Sequence, residues 1–355
     1  MTIFMMFLGL AVLVFGAELL VRGASRFGAA IGISPLVIGL TIVAFGTSSP
    51  EMALSVKAAL TNHPDLIIGT NIGSTVFNIL FILGLCSLIA PLVVSQQLVW
   101  YEVPIMIGAH LILLVMCLDG RIDRLDALIL FSGIIAYTLF AIYKGRKETK
   151  AILKEYQTAF APKMPEQNAL FVGKQLVLII TGLVFCVLGA NWLLDSAVIL
   201  ARVLGVSELV IGMTLVAAST SFPELATSIV ATIRGQRDIA IGNVVGSCIF
   251  NILGIVGVAG LVAPDGIAIA PSVTRFDLPV AIAACVACLP IFFTGHKVSR
   301  GEGVLFLGYY AAYTSYLVMA SRDHDSLPMF SLIMMWFVVP LTLVTIIIFL
   351  YRALR

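Results

Sequence analysis

Two stretches of this sequence set an acid, several hydroxyls and a proline among apolar residues: Gly46-Thr47-Ser48-Ser49-Pro50-Glu51 and Ser219-Thr220-Ser221-Phe222-Pro223-Glu224. Two others place a serine four residues before an asparagine, Ser74 with Asn78 and Ser247 with Asn251. Thr47 to Glu51 and Thr220 to Glu224 have the same spacing, which on a helix returns to one face. Together they offer two carboxylates, the hydroxyls of Thr47, Ser48, Ser74, Thr220, Ser221 and Ser247, and the amides of Asn78 and Asn251. All supply hard oxygen ligands. No cysteine or histidine belongs to the set, which argues against zinc, copper or iron and for calcium, sodium or magnesium, with magnesium disfavoured because it dehydrates reluctantly. Glu51 and Glu224 carry −2 when ionised, a charge that one divalent or two monovalent ions neutralise. Such a set holds calcium or sodium but not both, which is the thermodynamic basis of exchange.

The elements that position these groups must cross a membrane. Of 355 residues, 60% are hydrophobic and 11% charged, with mean hydropathy +1.09. That composition excludes a soluble or disordered chain. A net charge of +2 without a basic, aromatic-interleaved tract gives no footprint for nucleic acid. Apolar runs fall near 2–22, 35–60, 66–90, 99–118, 125–143, 174–194, 208–233, 239–263, 277–294 and 302–320, with an eleventh at 329–350. Each cluster lies roughly ten to sixteen residues into its run, near the bilayer midplane. Pro50 frees the carbonyl of Gly46 and Pro223 that of Ser219, so both helices are expected to kink or break there and present backbone oxygens as well.

The segment from Lys144 to Lys174 carries seven lysines and arginines against Glu148, Glu155 and Glu166. The positive-inside rule makes it cytoplasmic. Counting spans from it collects 15 of the 21 basic residues on that side, leaving Lys57, Arg121, Arg124, Arg202, Arg275 and Arg322 opposite. The amino terminus is then expected outside and the carboxyl terminus in the cytoplasm, in a multi-pass protein of the cell's inner membrane. No cleaved signal peptide is expected, because no basic n-region and no A-x-A site precede Arg22.

The sequence also repeats itself. Gly16 to Gly84 align without a gap on Gly189 to Gly257, 173 residues on, with about 31 of 69 pairs identical. Tyr101-Glu102-Val103-Pro104 similarly matches Phe276-Asp277-Leu278-Pro279. Each half holds five spans, and because five is odd the second copy must begin on the opposite face. The expected fold is all-α: two inverted five-helix repeats, 1–143 and 174–320, joined by a cytoplasmic loop, 144–173. An additional transmembrane helix and tail, 321–355, completes it.

Other polar residues have plainer explanations. Gly39, Gly69, Gly73, Gly212, Gly242 and Gly246 suit tight helix packing. Glu18 has Arg22 four residues on, an ion pair. Glu102, Glu208 and Asp277 sit at the ends of the expected spans, where polar groups are tolerated. His110 reads as a packed histidine with a backbone partner. All six cysteines lie in apolar segments, and Cys285-x-x-Cys288 lacks the second pair a metal site would need. No H-E-x-x-H, G-x-S-x-G or P-loop marks an enzyme, and no cofactor is implied.

The duplicated motifs resemble those of the calcium/cation antiporter superfamily, in its bacterial sodium/calcium exchanger branch, over about residues 1–320. The resemblance implies Glu51 and Glu224 as the main calcium ligands. Thr47, Thr220, Ser48, Ser221, Ser74 and Ser247 would serve sodium or calcium through hydroxyl or carbonyl oxygens, and Asn78 and Asn251 would complete the centre. It further implies access that alternates as the first and sixth helices slide past a ten-helix core. Ser219 departs from the family's usual glycine. Asn251 stands where several relatives have aspartate, which points to potassium independence. The short connecting loop leaves no room for the calcium-sensing domains of animal relatives. The resulting expectation is a sodium/calcium antiporter in which the sodium gradient drives calcium out. The alternatives are a proton/calcium exchanger and, in a different class, a passive cation channel.

Overall fold

A computed structural model describes residues 2–146, 169–203, 217–293, 295–320 and 327–340. Most of the expected cytoplasmic loop, Glu208, Gly212, the start of the seventh span and the end of the eleventh lie outside these residues.

Helix α1 (Thr2–Ile31) runs past Arg22 and Arg26 and stops at Gly32, whose φ of +68° terminates it. It is longer than the expected 2–22 because charged residues at a membrane surface do not end a helix. Ser34 accepts from Val37 N (3.4 Å) and Pro35 opens α2 (Pro35–Thr47). At Ser48 (φ −83°, ψ 8°) the helix breaks, and α3 (Ser49–Leu60) leaves at 47° with Pro50 in its first turn. The expected break at this proline is present. There follow α4 (Pro64–Ile89), α5 (Leu98–Asp119), α6 (Arg124–Arg146) and α7 (Ala169–Val203). Next, α8 (Ala217–Ser219) breaks at Thr220 and Ser221 before α9 (Phe222–Ile233). Then come α10 (Arg237–Val262), α11 (Val273–Phe293), α12 (Arg300–Ala320) and α13 (Leu327–Ile333). Ser299 and Glu302 cap α12 reciprocally, Ser299 N donating to Glu302 Oε2 (2.7 Å) and Glu302 N to Ser299 Oγ (3.4 Å). Among the described residues eight helices are long and apolar enough to span a bilayer, nine if α2 and α3 count as one. The protein is a nearly all-helical, multi-pass membrane protein.

The sequence repeat reappears in the element boundaries. Ser49 and Phe222 open α3 and α9, 173 residues apart, and Leu60 and Ile233 close them at the same interval. Both α4 and α10 widen into a π-helical turn, Phe77–Leu83 and Phe250–Val256. Both α5 and α11 open with one, Leu98–Glu102 and Val273–Asp277. Strand β1 (Leu92–Val93) pairs antiparallel with β4 (Lys297–Val298), and β2 (Arg121–Ile122) with β3 (Ile267–Ala268), so each connection in one half is tied to one in the other.

Burial separates the helices into inner and outer sets. The most apolar stretches of α10 and α4 are 89% and 72% buried, against 11% for α12 and 22% for α6. The serine–asparagine helices are therefore central, and the peripheral helices turn leucine, valine and phenylalanine outward, as a lipid-facing wall requires. Helices α1 and α7 meet along glycines. A Cβ on Gly16 would stand 2.6 Å from Cys186 N, and one on Gly182 2.6 Å from Leu20 N. Gly9 faces Leu193 N, and Gly189 faces Leu13 N. The partners exchange at the 173-residue interval: 16 on 186 becomes 189 on 13.

Gly16→Ala should force these backbones apart and destabilise the protein by about 1–3 kcal/mol, read as a lower thermal-unfolding midpoint in detergent. Gly308→Ala, on α12, should leave the midpoint unchanged or raise it, because its Cβ would meet no described atom within 4 Å.

Candidate cation site

The breaks in α2–α3 and α8–α9 lie against the centres of α4 and α10, and the four motifs converge there. Glu51 and Glu224 have no exposed surface. Each follows a proline in the first turn of a helix, where backbone N–H groups are unpaired and a negative charge is favoured. Ser221 Oγ donates to Glu51 Oε1 (3.2 Å), and Ser48 Oγ donates to Glu224 Oε1 (2.8 Å), so each acid is held by the other half of the chain. Ser74 Oγ lies 2.9 Å from Ser221 Oγ, and Ser247 Oγ 3.1 Å from Ser48 Oγ. Asn78 Nδ2 reaches Ser74 Oγ at 3.5 Å. Glu51, Ser221 and Ser74 thus form one chain of contacts, and Glu224, Ser48 and Ser247 its counterpart 173 residues on.

Thr220 adjoins Glu51 and Thr47 adjoins Glu224. The Thr47 hydroxyl can donate to Asn243 Oδ1 (3.1 Å) or to Val43 O of its own helix (3.1 Å), and in either case its oxygen keeps lone pairs to offer. Nine of the ten residues singled out in the sequence are linked by these contacts; Asn251, four residues on from Ser247 in α10, is fully buried, and neither of its side-chain polar atoms has a partner among the described residues.

Several oxygens in the cluster have no hydrogen-bond partner among the described residues: Glu51 Oε2, Glu224 Oε2, Asn78 Oδ1, Asn251 Oδ1 and Thr220 Oγ1. Buried polar atoms normally find partners, and an unpaired buried carboxylate oxygen is especially costly. Asn251 Nδ2, a donor, is unpaired as well, but the two carboxylate oxygens and two amide oxygens are acceptors of the kind calcium takes, six to eight at a time. Among the described residues no group of three or more His, Cys, Asp or Glu is arranged to hold a metal ion, so the candidate ligands are the two carboxylates with hydroxyl and amide oxygens.

A cavity of about 550 Å³ reaches the cluster from one side, running from Asp65 and Leu317 near helix ends to Pro50, Thr220 and Pro223 at the breaks. Gly69 and Gly73 line it, so they are not packing glycines as expected. Their equivalents are: a Cβ on Gly242 would stand 2.7 Å from Leu36 O, and one on Gly246 2.6 Å from Leu40 O. The same residues in the two halves thus meet space in one case and backbone in the other.

The structure corrects the reading of two acids. Glu102 and Asp277 do lie in the turns that open α5 and α11, as expected of span ends, but their surroundings are not those of a solvated helix end. Glu102 is fully buried, and Asp277 lines the cavity. A residue missed in the sequence is Asn243, which donates to Ser228 Oγ (3.0 Å) and Glu224 O (3.3 Å) and so ties α9 to α10. Its signal was faint because its repeat counterpart is Thr70, while Asn71, one position on, performs the similar contact to Ser55 Oγ (3.0 Å).

The plainer readings fare better. His110 is buried, with Nδ1 2.8 Å from Met106 O and Nε2 3.3 Å from Thr75 Oγ1. Cys285 and Cys288 are buried free thiols. Glu18 pairs with Arg22 and also, unexpectedly, with both Nε (2.9 Å) and Nη2 (2.7 Å) of Arg234, joining α1 to the end of α9.

Comparison with known proteins agrees with this architecture. Residues 1–143 and 174–319 match the family described as sodium/calcium exchanger protein. The inner membrane protein YrbG of Escherichia coli (strain K12) is 33% identical over 322 residues, covering 89% of this chain and 97% of YrbG. The sodium/calcium exchanger MaX1 of Methanosarcina acetivorans is 30% identical over 335 residues, covering 86% and 95%. A structure of the sodium-calcium exchanger NCX_Mj, soaked with Na+ and Sr2+, superposes with a TM-score of 0.75 at 30% identity over 88% of this chain and 97% of that one. The chain belongs to the sodium/calcium exchanger protein family, a family of membrane transporters rather than enzymes.

Proposed function

We propose that this protein is a sodium/calcium antiporter in which the sodium gradient drives calcium export through one site exposed alternately to either side. The observation that carries the reading is the paired, fully buried glutamates, each held by one oxygen from the opposite half while its second oxygen lacks a partner. Glu51 and Glu224 take calcium directly. Thr47, Ser48, Ser74, Asn78, Thr220, Ser221, Ser247 and Asn251 complete a shell that two or more sodium ions can share instead. Because the two acids carry −2, loading one ion species displaces the other.

The names of the relatives support calcium and sodium as the ions, and Sr2+ in the NCX_Mj structure is chemically the nearest stand-in for calcium. The domain division is read as two inverted five-helix repeats, 1–143 and 174–320, with 144–173 as a cytoplasmic loop and 321–355 as an added helix and tail. Contacts that recur with partners exchanged support it. The inner-membrane location follows the name of YrbG, and the charge distribution places the amino terminus outside, with the loop and carboxyl terminus in the cytoplasm. On that orientation the cavity opens outward. A passive channel would need a path on both sides of the cluster, and the close packing of Gly242 and Gly246 on α2 disfavours one. A proton/calcium exchanger is the rival within the same class.

Purified protein in calcium-loaded vesicles should release calcium when an opposing sodium gradient is imposed. Flux that follows only a pH gradient would refute sodium coupling, and flux without any counter-ion would indicate a channel. Glu51→Gln and Glu224→Gln should each abolish calcium flux while the protein still expresses and folds, because each halves the charge of the site. Wild-type flux from either variant refutes the assignment. Asn243→Ala should leave Ser228 and the Glu224 carbonyl without their buried donor, at about 1–3 kcal/mol. That loss is measurable as a lower unfolding midpoint together with a smaller stabilisation by added calcium.

A further inference from the structure

Two acids outside the central cluster occupy matching places in the two halves. Glu102 and Asp277 are each the last residue of the π-helical turn that opens α5 or α11. Each meets a tyrosine from the helix that follows. Tyr313 OH donates to Asp277 Oδ1 at 3.4 Å, and Tyr137 adjoins Glu102. The tyrosines correspond as well, since Tyr137 lies thirteen residues into α6 and Tyr313 thirteen into α12.

Their surroundings differ. Asp277 and Tyr313 line the 550 Å³ cavity that leads to Thr220 and Pro223. Glu102 has no exposed surface. Its Oε1 accepts from Gln97 Nε2 (2.9 Å), whereas its Oε2 makes no hydrogen bond of normal geometry and has only the nearby Tyr137 hydroxyl, itself otherwise unpartnered among the described residues, to turn to.

Carrying the cavity lining through the repeat explains the contrast. Gly69 and Gly73 map onto Gly242 and Gly246, which are pressed against the Leu36 and Leu40 carbonyls. Thr220 maps onto Thr47, and the pair Asp277–Tyr313 maps onto Glu102–Tyr137. The image of the open cavity is thus a shut one, with a carboxylate oxygen sealed in its wall. An acid in that position has no packing value, since an apolar residue of similar size would fill the space without an unpaired oxygen. It gains a partner when the wall opens.

We infer that Asp277 and Glu102 are entry carboxylates, each receiving a hydrated Ca2+ or Na+ at its own end of the permeation path and passing it to Glu51 and Glu224. The inference rests on the exchanger reading and extends it. Neither residue completes the central shell. Each raises the local cation concentration on one face, and the tyrosine steadies the carboxylate while the route is open. An acid in a low-dielectric cleft acts chiefly on the rate of capture, so removing it lowers capture from that face without preventing transport at saturation.

The test is calcium uptake in right-side-out and inside-out membrane vesicles carrying the wild type, Asp277→Asn, Glu102→Gln or Tyr137→Phe, with thermal unfolding of each variant as a check on folding. For Asp277→Asn the KM for Ca2+ presented to the cavity face should rise about tenfold, with kcat and the KM at the opposite face unchanged. Glu102→Gln should show the reverse sidedness, and Tyr137→Phe a smaller shift on the same face as Glu102→Gln. Raising ionic strength should shrink all three effects. Equal changes at both faces, or no change at either, overturn the inference. So does a lowered unfolding midpoint in Glu102→Gln with unchanged KM values, which would mark a structural network. Failure of the wild type to show sodium-dependent calcium flux would overturn the exchanger reading, and this inference with it.

Discussion

Two carboxylates with no exposed surface, set in a helical membrane protein, impose the constraint that the other features answer. A carboxylate removed from water is costly unless charge and hydrogen bonds compensate it. Here each glutamate receives one serine hydroxyl, and that serine comes from the other half of the chain. Each half supplies the hydroxyl that the other half's acid accepts. The halves are therefore tied together at the acids, each of which keeps a second oxygen without a partner among the described residues.

The helix breaks follow from the same constraint. A continuous helix would turn its N–H groups onto its own carbonyls and offer an acid nothing. By stopping at Ser48 and at Thr220–Ser221, the chain starts new helices whose first turns contain Glu51 and Glu224. Irregular backbone at this depth survives because α4 and α10 cover it, and these are the most enclosed of the spanning helices. Their small residues matter for a related reason. Only glycine lets Gly242 and Gly246 of α10 approach the carbonyls of α2 so closely, whereas Gly69 and Gly73 leave the corresponding wall of α4 recessed.

Much of this was legible in the residues. The hydropathy located the helices, although α1 and α7 run on to Ile31 and Val203, well past the expected ends at 22 and 194; the prolines located both breaks, and the duplicated motifs named the side chains that converge. What escaped depended on information that a linear pattern does not hold. Glu102 looked peripheral because its place near the start of a span says nothing of what packs over it, and in the fold it is fully buried. Gly69 and Gly73 could not be told from Gly242 and Gly246, since identical residues in the two halves face different neighbours. Asn243 was obscured by a one-residue offset between the copies. Arg234 as a partner of Glu18 required knowing that the end of α9 meets α1, a contact between residues 216 apart in sequence.

The exchanged contacts have a further consequence. Cys186 Sγ lies 3.7 Å from Leu13 O and Cys248 Sγ 4.0 Å from Thr75 O, and in each case the partners are the same position in the two copies. In an assembly of two identical subunits, contacts of this kind mark the dyad, where a residue meets itself. The glycine faces of α1 and α7 and the crossed strand pairs obey the same rule. A polypeptide of half this length would carry a self-complementary surface, and two copies inserted in opposite senses would assemble the same pair of faces. Fusion into one chain removes the need for both copies to stay alike, and the drift of one asparagine from position 71 to position 243 is that freedom in use.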